Sequence, residues 1–153
     1  MKLNTTSQVI SFARKLEEDG AGFYESLAKR HTEDSDLLIS FAKENKKSIT
    51  RVERAYYSAI TDAIEGCFTF DLDPEAYAIK PDDVQNTAYS IDLNTAIEME
   101  YKTASFYDIA AEQSKSLLAD IPRVFSTMAR LRDDRRQKLA DLRDTRNLNP
   151  ANQ

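Results

Sequence analysis

Glu17 and Glu100 stand in the same local setting. Ala13 precedes Glu17 by four residues and Phe23-Tyr24 begins six residues after it; Ala96 and Phe106-Tyr107 hold the same places around Glu100. Each glutamate falls on or beside an apolar helical stripe, with Ala13, Gly20 and Tyr24 around Glu17 and Ile97 and Ala104 around Glu100, so both carboxylates are expected to point inward. A buried carboxylate without a partner costs several kcal/mol, which leaves three outcomes: protonation, coordination of a metal ion, or pairing with a cation. Arg132 and Arg135 fall on or beside the stripe between Met128 and Leu139. A guanidinium group keeps its proton and presents a planar fork suited to carboxylates. Two readings of these arginines stay open: inward pairing with the glutamates, or snorkelling from the helix edge into a mixed-charge face with Arg130, Asp133, Asp134 and Arg136.

The residues that carry this chemistry need helices to position them. A first helix is expected from Thr5, Thr6 or Ser7, each a competent N-cap, to about Arg30, with the stripe Val9, Ala13, Leu16, Gly20, Phe23 and Leu27. After a break at His31 to Ser35, a second carries Leu38, Phe41, Ala42, Ile49, Val52, Tyr56, Ala59 and Ile60 and ends near Gly66. Periodicity lapses from Cys67 to Ser90, where Pro74, Pro81 and several aspartates interrupt a segment containing Phe68, Phe70, Tyr77 and Tyr89. A third helix from about Asp92 carries Leu93, Ala96, Ile97, Ala104, Tyr107 and Ala110. Asp120-Ile121-Pro122 opens a fourth, with proline in its first turn and the stripe Ile121, Val124, Phe125, Met128, Leu139 and Leu142. The polar tail from Asn147 is expected to fray. The reading is one all-α domain over 1–153, a four-helix bundle of two repeated helical hairpins, 6–65 and 92–146, joined by a long crossover connection over 67–90. In this arrangement the first and third helices can run parallel.

The bulk composition agrees and removes several function classes. Three glycines and four prolines in 153 residues favour helix over sheet. A net charge of −5 argues against a general nucleic-acid binder, which draws affinity from neutralising phosphates. Cys67 is the only cysteine, so no intramolecular disulfide and no Cys-x-x-Cys iron or zinc ribbon is present; a reducing, cytoplasmic setting is expected. No signal-peptide core and no run of about 18 apolar residues suggests export or a membrane span.

Leu16-Glu17 with Phe23-Tyr24, and Met99-Glu100 with Phe106-Tyr107, resemble the helix-one and helix-three pattern of the rubrerythrin-like branch of the ferritin-like superfamily. The resemblance covers nearly the whole chain apart from the connection. It implies a ferritin-like bundle and a carboxylate-bridged di-iron centre, held by one glutamate from each of two helices and a Glu-x-x-His pair from each of the other two. Glu17 and Glu100 match the single glutamates and are the candidate metal ligands. Aligning Phe41-Ala42 with the family's apolar-Ala step puts Asn45 and Ser48 at the first Glu-x-x-His, and Met128-Ala129 puts Arg132 and Arg135 at the second. Thr103 stands where rubrerythrins proper tend to supply a further carboxylate. A one-residue slip would bring Glu44 toward the missing glutamate, but no slip restores two histidines.

The resemblance therefore implies the fold, while the substitutions point to a degenerate metal site. The expectation is that Arg132 and Arg135 replace the metal's charge by pairing with Glu17 and Glu100, that Asn45 and Ser48 add neutral hydrogen bonds, and that no cofactor is bound. On that reading the chain is a non-catalytic binding or assembly module, expected as a homodimer, with no nucleic-acid or membrane partner and an unidentified protein partner. The alternative is a rubrerythrin-type oxidoreductase or peroxidase with an unusual iron site on Glu17, Glu100 and either Glu44 or Glu53. A third reading is a small-ligand pocket left in the vacated core. Phe23, Tyr24, Phe106, Tyr107, Tyr56 and Tyr57 read as core aromatics, and His31 as a solvent-facing residue near a helix C-terminus. Cys67 reads as a buried small apolar residue, and the basic residues from Arg130 to Arg146 as a salt-bridged face.

Overall fold

The computed structural model describes residues 2–59, 69–79, 88–117 and 120–147. Ile60, the expected helix end near Gly66, Cys67, Phe68, Pro81 and the tail beyond Asn147 lie outside them. Four long helices account for most of the described chain: α1 (Thr6–Arg30), α2 (Ser35–Ala59), α3 (Tyr89–Gln113) and α4 (Ile121–Asn147). Among the described residues the one β feature is an isolated antiparallel bridge between Leu3 and Leu72, and no helix is long and apolar enough to cross a membrane.

Local chemistry sets the helix ends. Thr5 caps α1: its hydroxyl accepts from the Gln8 amide at 3.2 Å, and the Gln8 side chain accepts in return from the Thr5 and Asn4 amides at 3.2 and 2.8 Å. The His31 amide closes α1 on the Leu27 carbonyl, and a 3-10 turn over Thr32–Asp34 leads directly into α2. That short turn forces α1 and α2 into an antiparallel hairpin, seen in the Arg14–Glu53 ion pair at 2.6 Å. The second hairpin is built likewise, with Arg143 on α4 donating to Asn94 on α3 at 2.8 Å.

The apolar stripes converge on one core. Val9, Ala13, Leu16, Phe23 and Leu27 of α1 meet Leu38, Phe41, Ala42 and Val52 of α2, Leu93, Ala96 and Ala110 of α3, and Ile121, Phe125, Met128 and Leu139 of α4, all buried. Ile49, Ile97, Val124 and Leu142 are partly buried at its margin. Tyr57 departs from the expected core, being 68% exposed.

The direction of α3 corrects the sequence reading. Glu17 pairs with Tyr107, Tyr24 with Glu100 and His31 with Asp92, so positions rising along α1 meet positions falling along α3. The two helices are therefore antiparallel. Residues 69–79 account for the reversal. Leu72 and Asp71 lie beside Leu3 and Gln113, where α1 begins and α3 ends. Tyr77 then packs its ring 5.6 Å from Phe106, and Ile79 shares a crevice with Phe23 and Met99. Residues 69–79 thus climb the α1–α3 side, and α3 starts at the end where α1 stops.

Candidate functional site

Midway along the four helices lies a cluster of charged and polar side chains in an otherwise apolar interior. Glu17, Glu100, Arg132, Arg135, Asn45 and Ser48 are all at most 5% exposed. All six residues singled out in the sequence meet here, each helix contributing at least one. The arginines point inward and do not snorkel.

Each carboxylate takes a phenol from the opposite helix and a guanidinium from α4. Tyr107 donates to Glu17 Oε1 at 2.8 Å, and Tyr24 to Glu100 Oε1 at 2.5 Å. Arg135 Nη1 donates to the same Glu100 oxygen at 3.2 Å. Arg132 Nη2 lies 3.5 Å from Glu17 Oε2, close as a charge pair but outside hydrogen-bond geometry. Two negative and two positive charges cancel within the cluster, which permits burial of all four.

Asn45 and Ser48 hold the arginines. The Asn45 side-chain carbonyl accepts from Nη1 of both Arg132 and Arg135, while its amide donates to the Glu17 backbone carbonyl at 3.3 Å. Ser48 Oγ accepts from Arg132 Nη2 at 2.8 Å. Arg135 Nη2 reaches the Phe41 carbonyl at 3.1 Å and Glu44 Oε2 at 3.2 Å. Its guanidinium carbon sits 4.8 Å from the Phe41 ring centre and 5.2 Å from that of Tyr24, within cation–π range. Gly20 makes room for this arrangement, because a Cβ there would run into the Asn45 amide. Four polar atoms of the cluster keep no hydrogen bond: Glu17 Oε2, Glu100 Oε2, Arg132 Nε and Arg135 Nε.

Burial raises the pKa of Glu17 above the usual carboxylate value, and Arg132 and the Tyr107 hydroxyl offset only part of that effect. Burial, reinforced by the facing glutamate, pushes the phenols of Tyr24 and Tyr107 well above the ordinary tyrosine value. For Arg135 burial works against the charge, but Glu100 and its other neighbours outweigh it and hold the pKa above the usual arginine value.

Glu44 reaches the cluster only at its edge, with its side chain 59% exposed. Glu53 pairs with Arg14 on the surface. Thr103 is buried but donates to the Met99 carbonyl of its own helix at 3.0 Å. Among the described residues, no three of His, Cys, Asp and Glu come together as a metal would require. The donors that do converge are two carboxylates already facing two guanidinium groups, a set that does not fit a di-iron pair.

The residues that sequence reading missed are the hydroxyls of Tyr24 and Tyr107 and a second polar group at the other end of α1. His31 is not solvent-facing: its Nε2 lies 2.7 Å from Oδ2 of buried Asp92, and its ring stacks on Tyr89 at 4.4 Å. Tyr89 donates to Asp34 at 2.9 Å, and Asp34 receives a two-pronged contact from Arg146 at 2.6 and 3.0 Å. Asp92 read as a helix start; its burial follows from α3 beginning a turn earlier, at Tyr89.

Comparisons with protein families, with curated proteins and with solved structures find no match to this chain.

Proposed function

We propose that this chain is a ferritin-like bundle of the rubrerythrin type in which two arginines stand in for a di-iron centre, and that it works as a non-catalytic binding or assembly module. The observation that carries the reading is the pairing of Arg132 with Glu17 and of Arg135 with Glu100, all four side chains buried. Two fixed guanidinium charges supply the compensation that metal ions would bring to the carboxylates, and they repel Fe²⁺ from the same space. The crossed Tyr–Glu bonds between α1 and α3 support an internal duplication, since each copy supplies one carboxylate and one phenol to the other. The climb of residues 69–79 supports the crossover of a ferritin-like topology.

Function then resides in contacts with other molecules, with a homodimer as the assembly proposed. Its support is the outward placement of Tyr57 and Tyr101, 68% and 63% exposed on α2 and α3; light scattering of the purified chain checks it. The test of the non-catalytic reading is peroxide consumption by protein incubated anaerobically with ferrous iron and supplied with a small-molecule electron donor. The expected result is no turnover above the protein-free rate. Turnover that saturates with peroxide and disappears in a Glu17→Ala, Glu100→Ala variant overturns the proposal in favour of an iron-dependent oxidoreductase.

A further inference from the structure

On the outer side of the arginine cluster, α2 and α4 part to leave a cavity of about 290 Å³ between Lys47 and Arg51 on one side and Leu131 and Lys138 on the other. Its wall includes the two buried arginines, held by Glu17, Glu100, Asn45 and Ser48. Around it stand Lys47 and Arg51, one helical turn apart on α2, and Lys138 on α4, all exposed. None of the three makes a hydrogen bond or ion pair with another described residue, although most arginines of this chain pair with a neighbouring acid. Glu44 is engaged with Arg135. Asp134 is the other acid in the lining.

The charge balance is unusual for this molecule. Arg132 and Arg135 are cancelled by Glu17 and Glu100, so the rim decides the sign, and three cations against Glu44 and Asp134 leave one positive charge in excess. The chain as a whole carries −5. A concave site of one sign on a protein of the other concentrates counter-ions there. The partly exposed Leu131 supplies an apolar surface beside the cations, while Phe41, 3% exposed, closes the cavity from behind. The volume is near the lower end of small-molecule sites, roughly 300 Å³. It is large enough for a ring with one charged group.

We infer that this cavity binds a small organic anion, with its oxyanion head held by Lys47, Arg51 and Lys138 and its compact apolar body against Leu131. The inference deepens the reading of the chain as a binding module and rests on it only in needing Arg132 and Arg135 to remain in the cavity wall. Peroxide turnover and anion binding are measured separately, so either reading can fail without the other.

The test is isothermal titration calorimetry of the full chain at low salt with phenyl phosphate and benzoate as probes, and benzyl alcohol as the uncharged comparison. Saturable binding of either anion, no binding of the alcohol, and a loss of about tenfold or more in affinity in Lys47→Gln, Arg51→Gln, Lys138→Gln protein support the site. The three side chains are exposed, so the variant is expected to keep the wild-type helical circular dichroism and melting temperature. If it does not fold, the salt dependence of wild-type binding decides: affinity that falls as salt rises supports the site, and affinity indifferent to salt overturns it. No saturable binding of either anion, or equal affinity in the wild type and a folded triple variant, also overturns it.

Discussion

At the scale of single residues, the cluster is stable only as a set. Removing one partner of a buried pair strands the other charge, so Arg135→Met, which leaves Glu100 without its cation, is expected to cost roughly 3–5 kcal/mol in urea unfolding. Adding Glu100→Gln to that variant is expected to recover part of the loss, because a neutral amide no longer needs a cation. A double variant destabilised by the sum of the Arg135→Met and Glu100→Gln single variants would mean the pair is not coupled. The two phenols predict a second effect. Their pKa values are raised in the fold above the ordinary 10.0, so each contributes stability that is present below about pH 10 and lost as pH rises beyond it, where only the unfolded chain ionises. Unfolding free energy measured from pH 9 to 12 is expected to fall more steeply in the wild type than in Tyr24→Phe, Tyr107→Phe protein; identical slopes would contradict it. The Glu–Arg pairing was legible in the sequence because carboxylates on apolar stripes demand compensation and arginines occurred at matching stripe positions. The phenol bonds were not, since an aromatic at a core position looks the same whether or not its hydroxyl has a distant acceptor. The same holds for His31, whose partner Asp92 is far away in sequence.

At the scale of helices, Gly20 is where α1 and α2 are brought into register over the cluster. Alanine is the better helix former by about 1 kcal/mol, yet a Cβ at position 20 meets the Asn45 amide. That amide is not free to swing away, because Asn45 also serves the Glu17 carbonyl and both arginines. Gly20→Ala is therefore expected to destabilise by roughly 1–3 kcal/mol despite its helix propensity, and to cost less in an Asn45→Ala background, where the obstruction is gone. A stabilising Gly20→Ala in the wild type would show that the neighbour yields freely. The helices themselves were readable, since their stripes, the Thr5 cap and Pro122 all mark ends that the structure places within a few residues. The direction of α3 was not, because periodicity carries no record of where a connection runs. The crossed pairs between α1 and α3 reveal it, and the packing of Leu72, Tyr77 and Ile79 along the α1–α3 side accounts for it.

At the scale of the molecule, the four helices surround a neutralised quartet of charges and support a cationic cavity on an acidic protein. On the reading proposed above, the guanidinium groups of Arg132 and Arg135 take the role of metal ions. It is tested most directly by metal content per chain, by plasma mass spectrometry, on protein produced with added iron and purified without chelator. The account predicts iron well below one atom per chain in protein that remains helical. About two irons per chain, the stoichiometry of a di-iron site, lost on Glu17→Ala, Glu100→Ala substitution, would contradict it.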